Sequence, residues 1–339
     1  MTENKPTLGT SRAAWRAAVV EDVLWPTQRI CDAHHHLWDY ANDRYLAADL
    51  AADITDGHQV AQTVFMECEW SYRDRESPDM APLGETEFVV QEAAEVATLV
   101  GRPVITGIIG FADLRLGRAV QSVLAAHVAA GQGLFRGIRH AVAWDASPEI
   151  VNHHLNPPPG LLLDPQFVEG VRMLGAMGLT YDVWLFHRQL PEVIELARRA
   201  PATTIIVDHL GGPLGVGPYT GRRDEVLSYC RAQLKELATI PNVRLKLGGI
   251  GMTTYGNGWH KLPAPPSSET IAQAWGDYIR WSIDTFGPSR VMFESNFPPD
   301  RRSCGYRTLW NAYKKIATPY HQSERDWMFH DTAVEVYKL

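Results

Sequence analysis

Short apolar runs recur along the chain, each followed by a polar loop and then by a helical pattern. The runs are Ile30 to His34, Val64 to Cys68, Val104 to Gly110 and Phe135 to His140, then Thr180 to His187, Thr204 to His209, Val243 to Leu247 and Arg290 to Ser295. Apolar residues at helical spacing fill Glu85 to Val100, Leu114 to Ala130, Phe167 to Met177, Leu190 to Arg199, Asp224 to Ala238 and Thr270 to Phe286. Gly131, Gly178 and Gly287 stand where three of these patterns stop, as C-terminal caps do. Strands alternating with helices imply a parallel sheet, and eight strands are the number that closes a (β/α)8 TIM barrel. An open doubly wound sheet is the competing α/β arrangement, but no GxGxxG follows the first strand.

Within that frame, residues 1–28 read as an N-terminal arm and 29–339 as one barrel domain, with His321 to Leu339 as a closing helix. Two proline-rich loops are long, Trp144 to Gly160 after strand four and Gly248 to Ser268 after strand seven. Both rise from the C-terminal face, where barrel enzymes keep their chemistry, and read as pocket walls or a lid.

Composition narrows the class. Of 339 residues 45% are hydrophobic and 21% charged, with a net charge of -7 and no Lys/Arg cluster, so a nucleic-acid footprint is not expected. No apolar run reaches the roughly 18–20 residues of a membrane span, and Arg12, Arg16, Glu21 and Asp22 interrupt what would be a signal's apolar core. Cys31, Cys68, Cys230 and Cys304 lie far apart without CxxC spacing and read as reduced thiols, which suits a cytoplasmic enzyme.

The chemistry concentrates at strand ends. In Asp32-Ala33-His34-His35-His36-Leu37-Trp38, strand alternation puts Asp32, His34 and His36 on one face and Ala33 and His35 on the other. Two imidazoles there are a ready pair of metal ligands or proton carriers. Glu67 and Glu69 near the end of strand two are further carboxylates, either inward acids and ligands or residues of a solvated loop. Arg139, on the opposite face of strand four from Arg136, offers a guanidinium fork for a carboxylate, and Lys246 on strand seven is a second cation.

An HxH ending strand one, His187 ending strand five, His209 ending strand six and a polar residue ending strand eight resemble the amidohydrolase superfamily. The segments Asp32 to Trp38, Arg136 to Arg139, Asp208 to Gly212, Val243 to Gly249 and Phe293 to Pro298 look like the amidohydrolase 2 family, in the branch of 2-pyrone-4,6-dicarboxylate lactonase and sugar lactonases. The resemblance implies that His34, His36, His187 and His209 are catalytic, with His34, His36 and His187 as ligands of a divalent ion such as zinc, although metal-free action also occurs in this branch. It implies an arginine on strand four, here Arg139, anchoring a carboxylated substrate; Glu67 and Lys246, by their own strand positions, are the further candidates for contact with substrate.

The sequence departs from the family where Asn296 stands in place of the strand-eight aspartate. An amide cannot take a proton at neutral pH. Either Asp300 or Glu294 acts instead, or a histidine is the base and Asn296 orients water or substrate. The function implied is hydrolysis of a lactone or related cyclic ester of an anionic small molecule. The alternatives are a metal-dependent decarboxylase or hydratase of an aromatic or dienoic acid, and a barrel that only binds a ligand. Neither nucleic acid nor membrane is an expected partner, and assembly into a homo-oligomer is left open.

Overall fold

The computed structural model describes residues 12–41, 43–74, 76–152 and 155–339; residues 1–11 of the expected arm, and 153–154 of the first long loop, lie outside them. Eight parallel strands form one sheet in chain order, and each is followed by a helix. The strands are β1 Arg29–His35, β2 Gln59–Met66, β3 Ile105–Gly110, β4 Phe135–Arg139, β5 Thr180–Val183, β6 Ile205–Val207, β7 Val243–Leu247 and β8 Val291–Phe293. The helices are α1 Ala47–Ile54, α2 Leu83–Val100, α3 Val120–Ala130, α4 Pro165–Ala176, α5 Leu190–Arg199, α6 Arg223–Leu237, α7 Ser268–Phe286 and α8 Tyr306–Ile316. The sheet closes where the Asn296 amide donates to the His34 carbonyl (2.9 Å) and the His36 amide to that of Phe297 (2.7 Å). The result is a (β/α)8 barrel.

Helices α1 and α8 were not expected. Both carry the spacing that forms them: Ala47, Leu50, Ala51 and Ile54 bury one face of α1, and Tyr306, Leu309, Trp310, Tyr313 and Ile316 bury one face of α8. A small hairpin, Trp38–Tyr40 with Asp43–Tyr45, precedes α1. Of the three glycines read as caps, Gly178 and Gly287 do adopt positive φ, whereas Gly131 stays right-handed at -74°. The closing segment is two short helices, Gln322–Asp326 and Thr332–Tyr337, joined by a π turn at Trp327–Asp331 rather than one helix.

Two ends of the barrel differ in chemistry. Inside, Cys31, Ala33, Val64, Met66, Ile109, Ile206 and Met292 pack together, and Ala333 and Tyr337 of the closing segment cover them. Tyr337 borders the starts of β4 and β5, so this plug sits at the N-terminal end of the strands. Both long loops rise at the other end, Val151 and Asn152 from one and Met252 to Thr254 from the other lining a cavity there. Trp15 of the N-terminal segment braces the second loop through an indole N–H to the Leu262 carbonyl (2.9 Å).

Candidate active site

At the C-terminal ends of the strands a cavity of about 500 Å³ opens, lined by His36, Arg139, His209 and Asn296 at its floor. Trp38, Tyr40, Trp184, Phe186 and Met252 supply apolar walls. Below the floor lies a fully buried charged layer. It holds the carboxylates of Glu67, Asp182, Asp208 and Glu294 and, among the described residues, two cations, Arg139 and Lys246. That imbalance has to be met by protons or by a bound cation.

The layer is built by strands whose side chains alternate in and out of the barrel. Asp182 and Lys246 project inward between outward apolar neighbours, and Lys246 Nζ meets Asp182 Oδ1 at 2.8 Å and Asp208 Oδ1 at 3.1 Å. Burial opposes the ammonium charge, but Asp182 and Asp208 outweigh it and hold the Lys246 pKa above the ordinary lysine value. Tyr337 reaches up the bore to donate to Asp182 Oδ1 (2.6 Å). Arg139 Nε donates to Glu67 Oε1 (2.7 Å) and its Nη2 to the Glu67 carbonyl, while Nη1 stands 3.4 Å from His34 Nε2 and 4.0 Å from Asp208 Oδ2.

Partners of fixed role set the tautomers of His36 and His209. The His36 Nδ1–H donates to the Met66 carbonyl (2.8 Å), which leaves Nε2 as a lone pair. His34 lies between donors on both sides, Nδ1 3.3 Å from the Lys246 ammonium and Nε2 3.4 Å from the Arg139 guanidinium, with His36 Nε2 3.1 Å from its Nε2. Glu294 Oε1 accepts from the His209 ring Nδ1–H (2.6 Å) and from its backbone N–H (3.2 Å), turning the other ring nitrogen outward. Glu294 Oε2 lies 3.0 Å from His34 Nδ1. Burial drives all three histidines below their usual range, His209 to about 3, so all are neutral. Burial likewise raises Glu294 well above the usual carboxylate range, with Lys246 opposing the shift.

The donor set accommodates a metal ion. One ligand atom each of His34, Asp208 and His209 lie within 4.8 Å of one another, and nitrogen with carboxylate oxygen is a set zinc accepts. Neither Asp208 oxygen has a hydrogen-bond partner among the described residues, despite Lys246 at ion-pair distance. Lys246 offsets part of the cost of burying this carboxylate, and a bound cation beside its free lone pairs would offset more.

This set differs from His34, His36 and His187. Strand β5 stops at Val183, so Trp184 takes the position beside the cavity and its ring lies 5.0 Å from that of His209. His187 sits four residues beyond the strand and away from the cavity, its ring against Tyr219 and Tyr229 and its Nδ1 accepting from the Leu214 amide (3.4 Å). It ties the loop after β5 to the loop after β6. The register shift between Asp32 and His35 also breaks the alternation, so Asp32 leaves the side of His34 and accepts from the Ser295 amide (2.8 Å) and the Tyr306 hydroxyl (3.0 Å).

Asn296 reaches the cavity, but Asp300 does not. Asp300 lies behind it, Oδ1 accepting from Asn296 Nδ2 (2.8 Å) and Oδ2 from the Gly251 amide (2.7 Å). One N–H of the Asn296 amide is thus committed to Asp300, and the amide lies at the cavity floor. Arg139 reaches the cavity floor as expected but is paired with Glu67, while Glu67 and Lys246 lie in the charged layer beneath, Lys246 against Asp182. Arg136 bonds to the carbonyls of Gly133 and Phe135 rather than to an acid, and His140 accepts from the Leu114 amide. Asp182 and Asp208 went unrecognised as members of the site. The signal was a charged residue inside an otherwise apolar strand and the acid preceding His209.

Residues 31–339 match the amidohydrolase family model. An L-fucono-1,5-lactonase of Burkholderia multivorans is 28% identical over 319 residues, 91% of this chain and 95% of that protein. An uncharacterised protein of Sinorhizobium fredii is 31% identical over 333 residues, covering 91% and 98%. A solved amidohydrolase of Burkholderia multivorans with bound zinc superposes with a TM-score of 0.69 at 25% identity, covering 91% of this chain and 99% of its own. With a barrel of eight strands and histidines at the ends of its first and sixth, the chain belongs to the amidohydrolase family.

Proposed function

We propose that the protein is a hydrolase that opens the ring of a neutral, hydroxyl-rich lactone. The observation that carries this reading is a pair of neutral imidazoles, His36 and His209, at the floor of a cavity walled by Trp38, Tyr40, Trp184 and Phe186. Aromatic faces and polar tips such as Thr253 and Asn296 suit a sugar-like ring. A carboxylated substrate fits less well, because the cations beside the cavity are already paired: Arg139 with Glu67, and Arg302 with Asp43 at 3.1 Å. The 28% identical relative named L-fucono-1,5-lactonase supports the same substrate class.

His34, Asp208 and His209 would hold a metal ion, which when bound polarises the carbonyl and acidifies a water. The protein's own groups act around it. His36, its Nε2 kept unprotonated by the Met66 carbonyl, takes a proton from the attacking water as that oxygen bonds to the lactone carbon. It returns the proton to the ring oxygen as the ring C–O bond breaks, leaving a hydroxy acid. Asn296 Oδ1 accepts a hydrogen bond from water or a substrate hydroxyl and takes no proton.

Proton release from a panel of five- and six-membered aldonolactones, including L-fucono-1,5-lactone, tests the reading, with 2-pyrone-4,6-dicarboxylate as the anionic comparison. Turnover of the neutral rings is expected. Turnover of the dicarboxylate alone, or carbon dioxide release from an aromatic acid, overturns it.

A further inference from the structure

The loop after β2 carries a carboxylate that the chemistry above does not use. Glu69 lines the cavity and is solvent-facing, and its side chain has neither a hydrogen-bond nor an ion-pair partner among the described residues. Its backbone is held in an uncommon state, with φ at 61° and Ser71 following at 60°. For residues other than glycine the left-handed region costs about 1 kcal/mol or more, so the surroundings must enforce it.

They do so from three sides. Glu85, fully buried on α2, accepts with one oxygen from both the Cys68 and Trp70 amides at 2.9 Å, clasping the peptides on either side of Glu69. Tyr40 donates to the Cys68 carbonyl (3.1 Å), and the Cys68 thiol to that of Leu37 (3.5 Å). Burial, with Glu67 nearby, raises the Glu85 carboxyl to about 8, so the clasp is largely uncharged at neutral pH and adds no second anion beneath the loop. The other cavity-lining acid, Asp43, is neutralised by Arg301 (2.8 Å) and Arg302 (3.1 Å). Among the described residues, the free negative charge at the mouth is therefore Glu69.

We infer that Glu69 is a charge-selecting residue, accepting hydrogen bonds from a neutral ring's hydroxyls and repelling carboxylates. The identity of its ligands rests on the lactone reading. Hydrolysis of a neutral lactone creates a carboxylate inside the cavity, so the same residue that admits the substrate disfavours the product and speeds its departure. A unit charge several ångströms away in a partly solvated cavity changes an anion's affinity by roughly tenfold.

Glu69→Gln keeps the shape and removes the charge, and Glu69→Asp restores charge with a shorter reach. Calorimetric titration of L-fuconate, the open acid, into wild type and both variants needs no turnover. Affinity is expected to rise roughly tenfold in Glu69→Gln and to return towards wild type in Glu69→Asp. With L-fucono-1,5-lactone as substrate, KM should rise in Glu69→Gln while product inhibition tightens. No gain in fuconate affinity, including no detectable heat with any of the three proteins, overturns the inference. Absence of lactone turnover by wild type, with the fuconate gain intact, overturns the lactone reading and leaves charge selection standing.

Discussion

The two ends of the barrel bore obey opposite rules. At the closed end Cys31, Ala33, Val64, Ile109, Ile206 and Met292 form an apolar plug covered by Tyr337, and burial alone accounts for their arrangement. At the open end the bore is filled with Asp182, Asp208, Glu294, Lys246, Arg139 and three neutral histidines. Replacing that layer with apolar side chains would generally cost nothing in stability, because buried ion pairs rarely exceed their desolvation penalty. Its presence is explained by chemistry, and the plug below supplies the rigidity that holds it in place. Tyr337 joins the two, packed with the plug and bonded to Asp182.

The contrast breaks down first, if it is wrong, at His209. His209→Ala should lower kcat/KM for the true substrate by about 10²–10³ or more, the usual cost of losing one transition-state stabiliser or ligand. Near-normal kinetics would remove it from the site. Next in size, Ile109→Ala should cost about 2–5 kcal/mol of stability in denaturant titration, as large-to-small changes in a packed core do. Its kcat should stay within a few fold; a collapse of turnover without loss of stability would mean that the plug shares in the chemistry.

A smaller effect concerns pH. His58, the residue before β2, accepts from Lys314 Nζ (2.8 Å) and donates to the Arg307 carbonyl (3.2 Å). Burial, then Lys314, depresses it to about 4. The unfolded chain, titrating near the ordinary value of about 6.5, binds the proton first, so stability falls as pH drops from about 6.5 to 4. His58→Gln should flatten that limb by about 1–3 kcal/mol, measured as unfolding free energy against pH. An unchanged slope would assign the acid sensitivity elsewhere. Smallest of all, His187→Ala should lower turnover by less than about tenfold, since it braces loops and does not touch the cavity. A loss as large as that of His209→Ala would return it to the catalytic set.

The barrel was legible because its strands are short apolar runs and its helices carry 3.6-residue spacing. His34, His36 and His209 were legible because they end strands. What escaped has definite causes. The bulge after Asp32 reverses a face that strict alternation assigns, and no residue type announces it. The apolar run Trp184 to Phe186 prolongs β5 on paper, but the chain there leaves the sheet to wall the cavity, carrying His187 out of reach. Arg139 and Lys246 looked like anchors for a ligand because their partners, Glu67 and Asp182, lie 72 and 64 positions away in the chain.

The bond between Asn296 and Asp300 constrains what position 296 can carry. An aspartate at position 296 would set two carboxyl groups at the 2.8 Å separation now spanned by the amide, in a buried niche. They would have to share one proton. An aspartate at 296 therefore keeps a single negative charge between the two positions unless residue 300 changes with it.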